Sequence, residues 1–196
     1  MPKGRPRQFD TDKALDAALL LFWRHGYEGT SLAALTRAMR INVTSLYGAF
    51  GDKRSLFKKA LLRYLQRPAS YLSKALDDPD GKRAMEKLFA GAINMVTNPK
   101  HPDGCMLVQG ALAAGPAAAW VRQDLAKHRL GAEALIRKRI ERAVAEKDLP
   151  RSVDATKLAR YYATVLWGMS VQAGAGASRE DLEGIAGQAL KSWPGR

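Results

Sequence analysis

The chain has 196 residues, 46% of them hydrophobic, enough for one domain or two closely packed ones and too apolar for wholesale disorder. Its 32 Lys and Arg outnumber 19 Asp and Glu, and the net charge of +13 points to a polyanionic partner, nucleic acid first and an anionic membrane surface second. The single cysteine excludes an intrachain disulfide, and no apolar run approaches the ~20 residues that cross a bilayer, so a soluble protein of the cytoplasm, without membrane partners, is expected.

Alternation of β-branched with polar residues is nearly absent, and the apolar spacing is helical almost throughout, which predicts an all-α fold of about nine helices. The first spans 11–25, with Asp10 as N-cap, Leu15, Leu19 and Phe22 as its apolar stripe and Gly26 as its stop. Thr30 or Ser31 caps the second, which carries Leu32, Leu35 and Met39. Asn42 caps a short third helix over 43–50, and Asp52 caps a long fourth over about 53–75. The turn Asp77-Asp78-Pro79-Asp80-Gly81 leads to a helix over 82–97 and a two-proline loop over 98–104. Helices over 105–114 and 117–147 follow, separated by Gly115-Pro116. Asp154 caps one over 155–173, and Ser178 caps the last.

Residues 27–53 hold two short amphipathic helices three to four residues apart, the spacing of a helix-turn-helix. The second is rich in small and hydroxylated residues (Thr44, Ser45, Tyr47, Gly48, Ala49), as a helix entering the major groove requires. Arg37 and Arg40 precede it; Lys53 and Arg54 follow. Residues 1–63 hold 12 Lys and Arg against 5 Asp and Glu, so the N-terminal third is the better phosphate-contacting surface. On spacing alone, a solvent-facing helix of an ordinary bundle fits equally well.

The wording decides more than the spacing. Tyr27-Glu28-Gly29-Thr30-Ser31-Leu32, followed by Ile41-Asn42-Val43-Thr44-Ser45-Leu46-Tyr47-Gly48-Ala49-Phe50-Gly51-Asp52-Lys53, closely resembles the TetR/AcrR family of bacterial regulators over residues 9–62, with the Leu-Tyr-x-x-Phe-x-x-Lys core intact. The resemblance implies an all-α homodimer with a helix-turn-helix DNA-binding domain over 1–52 and a ligand-binding and dimerisation domain over 53–196. It implies repression of transcription at a double-stranded operator, relieved by a small molecule. By motif match, Val43, Thr44 and Gly48 face base edges, while Ser31, Ser45, Tyr47 and Lys53 hold phosphates. The family commonly has Gly where Arg40 stands. If that position is left-handed, Arg40 costs roughly 1 kcal/mol, which a phosphate contact would offset. Lys3, Arg5 and Arg7 precede the first helix and form either a minor-groove arm or a plain basic tail.

Beyond residue 53, Met85, Phe89, Ile93, Met106, Val108, Trp120, Tyr161 and Trp167 are either the lining of an effector pocket or ordinary core. The expected ligand is uncharged or weakly polar and sits between the helices over 53–75 and 117–147. The last two helices supply a dimer face: Leu158, Tyr162, Val165, Leu166, Met169, Leu182, Ile185 and Leu190, with Gly168, Ala173, Gly184 and Gly187 permitting close approach. A monomer could bury the same face internally. Gly104-Cys105-Met106-Leu107-Val108-Gln109 resembles a Gly-Cys-x-x-x-Asn signature of some branches of the family, with Gln109 in place of Asn. Cys105 at a helix start, near Lys100 and His101, is either a reactive, ligand-adjacent thiol serving a redox or electrophile sensor, or an inert packing residue.

An enzyme is disfavoured. His25, His101 and His128 are scattered, His101-x-x-x-Cys105 is too sparse for zinc, and no phosphate loop or nucleophile elbow is present, so no catalytic residue, metal or cofactor is assigned. The basic residues Arg129, Arg137, Lys138, Arg139 and Arg142 would suit a membrane surface, but they also read as the solvated face of a bundle helix.

Overall fold

A computed structural model describes residues 9–195. Among them are ten α-helices and no strand: α1 (Thr11–His25), α2 (Leu32–Met39), α3 (Val43–Phe50), α4 (Lys53–Gln66), α5 (Tyr71–Leu76), α6 (Gly81–Val96), α7 (Met106–Leu112), α8 (Ala119–Ala145), α9 (Ala155–Gly174) and α10 (Arg179–Leu190). The all-α expectation holds. Lys3, Arg5 and Arg7 lie outside the described residues.

The polar starts do what their chemistry dictates. Asp10 accepts from the amides of Asp12 and Lys13, Asn42 from Ser45, Asp52 from Ser55, and Asp154 from Lys157. At α2 it is Ser31 that caps; the Thr30 hydroxyl donates instead to the carbonyl of Gly26 at 2.7 Å. Ser178 and Asp181 form a reciprocal capping box on α10.

The helix expected over 53–75 is interrupted at Pro68. Proline has no amide hydrogen to donate and disfavours α geometry in the residue before it, and Arg67 accordingly leaves the helix at φ −120° and ψ −81°. A 3-10 turn over Pro68–Ser70 redirects the chain into α5. A second 3-10 turn, Pro116–Ala118, precedes α8.

Helix α1 buries Ala14, Ala18, Leu19, Phe22 and Trp23, a stripe rotated slightly from the expected one, since Leu15 is only half-buried. It packs along α4, where Phe22 meets Phe57 edge-on at 5.1 Å. Arg63 of α4 donates to both carboxylate oxygens of Asp16 and to Asp12, clamping the two helices. Helices α2 and α3 close the first unit by burying Leu35, Met39, Leu46 and Phe50.

Helix α6 is the central element of the remainder, packed against α5, α8, α9 and α10. Gly91 lets Tyr71 lie against it; a Cβ there would stand 2.7 Å from the Tyr71 side chain. The turn before α6 is held from within. Buried Arg139 donates from Nε to the Asp78 carbonyl at 3.0 Å and from Nη2 to that of Pro79 at 2.7 Å. The buried Asp78 carboxylate accepts from Lys87 and Arg83, which hold its pKa below the usual carboxylate range.

Candidate nucleic-acid interface and effector pocket

The turn between α2 and α3 is tight because Arg40 adopts φ 55° and ψ 43°, the left-handed region. Its amide donates to the Arg37 carbonyl and that of Ile41 to Thr36, closing the end of α2. The Asn42 side chain, 2.7 Å from the Ser45 amide, then starts α3. Leu46 and Phe50 anchor α3 inward, leaving Val43, Thr44, Tyr47 and Gly48 outward, with Val43 47% and Tyr47 46% exposed. A Cβ on Gly48 would meet nothing within 4 Å, so this glycine relieves no internal crowding. It keeps the outer face of α3 thin.

Charge surrounds that face. Arg37, Arg40, Arg54 and Lys58 are exposed. The Lys59 ammonium lies 3.4 and 3.3 Å from the carbonyls of Ala49 and Phe50, at the negative end of α3. The Lys53 ammonium sits 4.4 Å above the Tyr27 ring, and partial burial lowers its pKa.

The recognition unit meets the rest of the chain at a second contact zone. Trp120 stands edge-on to Tyr27 at 5.0 Å and to Phe57 at 5.7 Å, and the Arg54 guanidinium covers its ring at 4.4 Å. The Gly115 amide donates to the Glu28 carboxylate. On the other side of α1, the Trp23 indole donates to the Gly104 carbonyl at 3.2 Å and meets Tyr64 edge-on at 4.8 Å.

Tyr64 is also a wall of a pocket of about 460 Å³ between α4, α5, α7, α8 and α9. The opposite walls are Leu107 and Cys105, the α8 face carrying Lys127, His128 and Leu135, and Trp167. The Tyr64 hydroxyl lies 3.1 Å from the Cys105 sulfur and 3.3 Å from that of Met95. The pocket therefore shares a side chain with the aromatic contact that holds α1.

Residues 14–60 match the family described as bacterial regulatory proteins, tetR family, and residues 81–186 match the tetracyclin repressor-like C-terminal domain. The chain belongs to the TetR family. It is a DNA-binding transcriptional regulator with the family's all-α fold. It is 34% identical to the HTH-type transcriptional repressor ComR of Escherichia coli K12 over 98% of this chain and 92% of that one. The repressor BdcR of the same organism is 32% identical over 96% and 93%. A triple-cysteine mutant of the TetR family regulator CifR, solved with 26-base-pair double-strand operator DNA, superposes with a TM-score of 0.93 at 42% identity, covering 97% of this chain and all of that one. A TetR regulator from Rhodococcus sp. RHA1 gives 0.65 at 40% identity, over 93% and 98%.

In this TetR-family chain, the sequence-derived recognition residues Ser31, Arg40, Val43, Thr44, Ser45, Tyr47, Gly48 and Lys53 gather on and around α3, although Lys53 and Ser45 are half-buried. The sequence-derived pocket residues scatter. Cys105 and Trp167 line the cavity, whereas Met85, Phe89, Ile93, Met106 and Val108 are buried core away from its walls. Trp120 is committed to the DNA-binding unit, and Tyr161, 42% exposed, faces out from α9. Tyr64, Tyr71, Lys127 and His128 were missed. For Tyr71 alone the sequence held a signal, Pro68, because a break there redirects the residues that follow; Tyr64, Lys127 and His128 had none.

Two further expectations are corrected. Tyr162, Leu166, Met169 and Leu182, expected on a dimer face, turn into the core; the outward side of α9 and α10 carries Tyr161, Val171 and Ile185 beside Gly168, Gly184 and Gly187, where a Cβ meets open space. Cys105 sits at the N-cap of α7, but it is only 3% exposed and burial pushes its thiol pKa up. The amides of Leu107 and Val108 and the Tyr64 hydroxyl pull the other way without prevailing. Desolvation outweighs the helix-end effect at this thiol, which disfavours a thiolate sensor.

Proposed function

We propose that this regulator is a homodimeric repressor that reads a near-palindromic operator through α3 and releases it when a small molecule fills the pocket beside Tyr64. Residues 1–52 act as the DNA-binding unit and 53–196 as the ligand-binding and dimerisation unit, with α4 joining them. It acts in the bacterial cytoplasm and carries no catalytic activity of its own.

The observation that carries this reading is the outer face of α3, thin, hydroxylated and ringed by cations. Val43 and Thr44 contact base edges, and Gly48 admits the groove floor. Ser31, Ser45, Tyr47, Arg40 and Lys53 hold phosphates, and Lys3, Arg5 and Arg7 add positive charge toward the same DNA. Affinity then falls steeply with salt as counterions are released. The test is selection of bound duplexes from a random pool, followed by binding across a salt series. Thr44→Ala changes the preference among selected sites, whereas Lys53→Ala weakens all of them and flattens the log–log salt slope by about one. Equal affinity for selected and random DNA rules the reading out.

A further inference from the structure

Two chemically different sets of residues line the pocket. Leu65, Leu72, Leu107, Ala132, Leu135 and Trp167 make most of it apolar. The polar remainder is one-sided. Lys127 and His128 stand on α8, Tyr64, Tyr71 and Ser73 lie opposite, and no Asp or Glu lines the cavity, in a chain that has 19 of them.

The two basic side chains are also uncommitted. Neither exposed Lys127 nor half-buried His128 makes an ion pair or hydrogen bond with a described residue; on the same helix exposed Lys138 is likewise unpaired, while Arg122, Arg129, Arg137, Arg139 and Arg142 have partners. The phenols can give protons. Burial raises the pKa of both Tyr64 and Tyr71, which keeps them as neutral donors. The Tyr64 hydroxyl lies beside the sulfurs of Met95 and Cys105, which are weak acceptors, and near the Met106 amide. Tyr71 has no hydrogen-bond partner among the described residues.

We propose that this pocket selects a small organic acid, an apolar or aromatic body bearing one carboxylate or comparable anionic head. The head lies toward Lys127 and His128, the body lies against Leu107, Leu135 and Trp167, and the phenols face the ligand from the opposite wall. A cationic ligand meets like charge and no carboxylate. Its amine would have to bury unpaired, the arrangement that penalises a wrong partner most. The volume, about 460 Å³, lies within the range of small-molecule sites. This inference rests on the effector reading above and moves the expected ligand from uncharged to acidic.

The experiment is calorimetric titration of the full-length protein with three probes of one shape: 4-phenylbutyrate, 4-phenylbutyramide and 4-phenylbutylamine. The acid binds at least about tenfold more tightly than the amine, a contrast of about 1.4 kcal/mol. Lys127→Ala combined with His128→Ala, both outside the buried core, weakens the acid about tenfold and leaves the amide unchanged. Gly131→Phe, at a position where a Cβ meets no atom within 4 Å, fills the mouth and abolishes binding of the acid. Failure of all three probes to bind overturns the proposal, as does an amine as tight as the acid or an acid indifferent to the double substitution. Operator affinity is read separately. An acid that binds as described but leaves operator affinity unchanged defeats the effector reading while the ligand class stands. A neutral ligand that releases the operator, and is blocked by Gly131→Phe, does the reverse.

Discussion

At the scale of single residues, the strain at Arg40 and the charge at Asp78 each have a measurable consequence. A left-handed conformation costs a residue with a Cβ about 1–2 kcal/mol, and glycine avoids that cost while gaining about 0.5–1 kcal/mol of unfolded-state freedom. Arg40→Gly is therefore expected to stabilise the protein by about 0.5–1 kcal/mol in urea denaturation, and to lower the salt dependence of operator binding if its guanidinium meets a phosphate. A less stable Arg40→Gly variant contradicts the observed backbone angles. Asp78 works in the opposite sense. Hydrogen bonds from Lys87 and Arg83 lower its folded pKa below the unfolded value near 4. Its contribution is thus fully present above about pH 4 and fades as the pH falls below that toward the folded value. Asp78→Asn should lower the melting temperature at pH 7 and reduce the further drop between pH 7 and pH 3. An unchanged acid response would show that the carboxylate does not hold the turn.

At the scale of elements, Trp120 is a side chain through which α8 touches the recognition unit, where the turn after α1 presents Tyr27 and α4 presents Phe57 to it. Aromatic contacts of this geometry contribute about 0.5–1.5 kcal/mol each. Trp120→Leu should cost about 1–3 kcal/mol in denaturation and accelerate amide exchange in α2 and α3 while leaving α9 and α10 unaltered; a uniform acceleration would mean the residue serves general packing only. The sequence was informative about α1–α3 because each helix there is bounded by its own cap and stop residues, so Asp10, Asn42 and Gly26 act locally. The pocket was hidden because its walls come from five helices far apart in the chain, and apolar residues at helical spacing look alike whether they face a cavity or a neighbour. Met85 and Phe89 fill α6 core positions, while Tyr64 and His128 carry no local mark of facing a cavity. Pro68 is itself the mark of the break in the long amphipathic helix, because its missing amide hydrogen and its restriction of Arg67 end α4 there.

At the scale of the whole molecule, the decisive question is how two copies meet, because one α3 reads only one half-site. The outward side of α9 and α10 combines exposed Tyr161, Val171 and Ile185 with Gly168, Gly184 and Gly187. Apolar groups at the rim of a glycine stripe let two helix pairs approach closely, and self-association buries what the monomer leaves wet. Gly168→Arg tests this without disturbing the monomer, since a Cβ there meets no atom within 4 Å and arginine favours a helix more than glycine does. In the dimer the same side chain would be forced, charged and bulky, into the seam. The expected outcome in sedimentation velocity is a shift from a dimer to a single chain with unchanged helix content. Operator affinity should fall by about 100-fold or more, because the second half-site then binds as an independent molecule instead of a linked one. A Gly168→Arg variant that remains dimeric and keeps its operator affinity would place the interface elsewhere on the molecule.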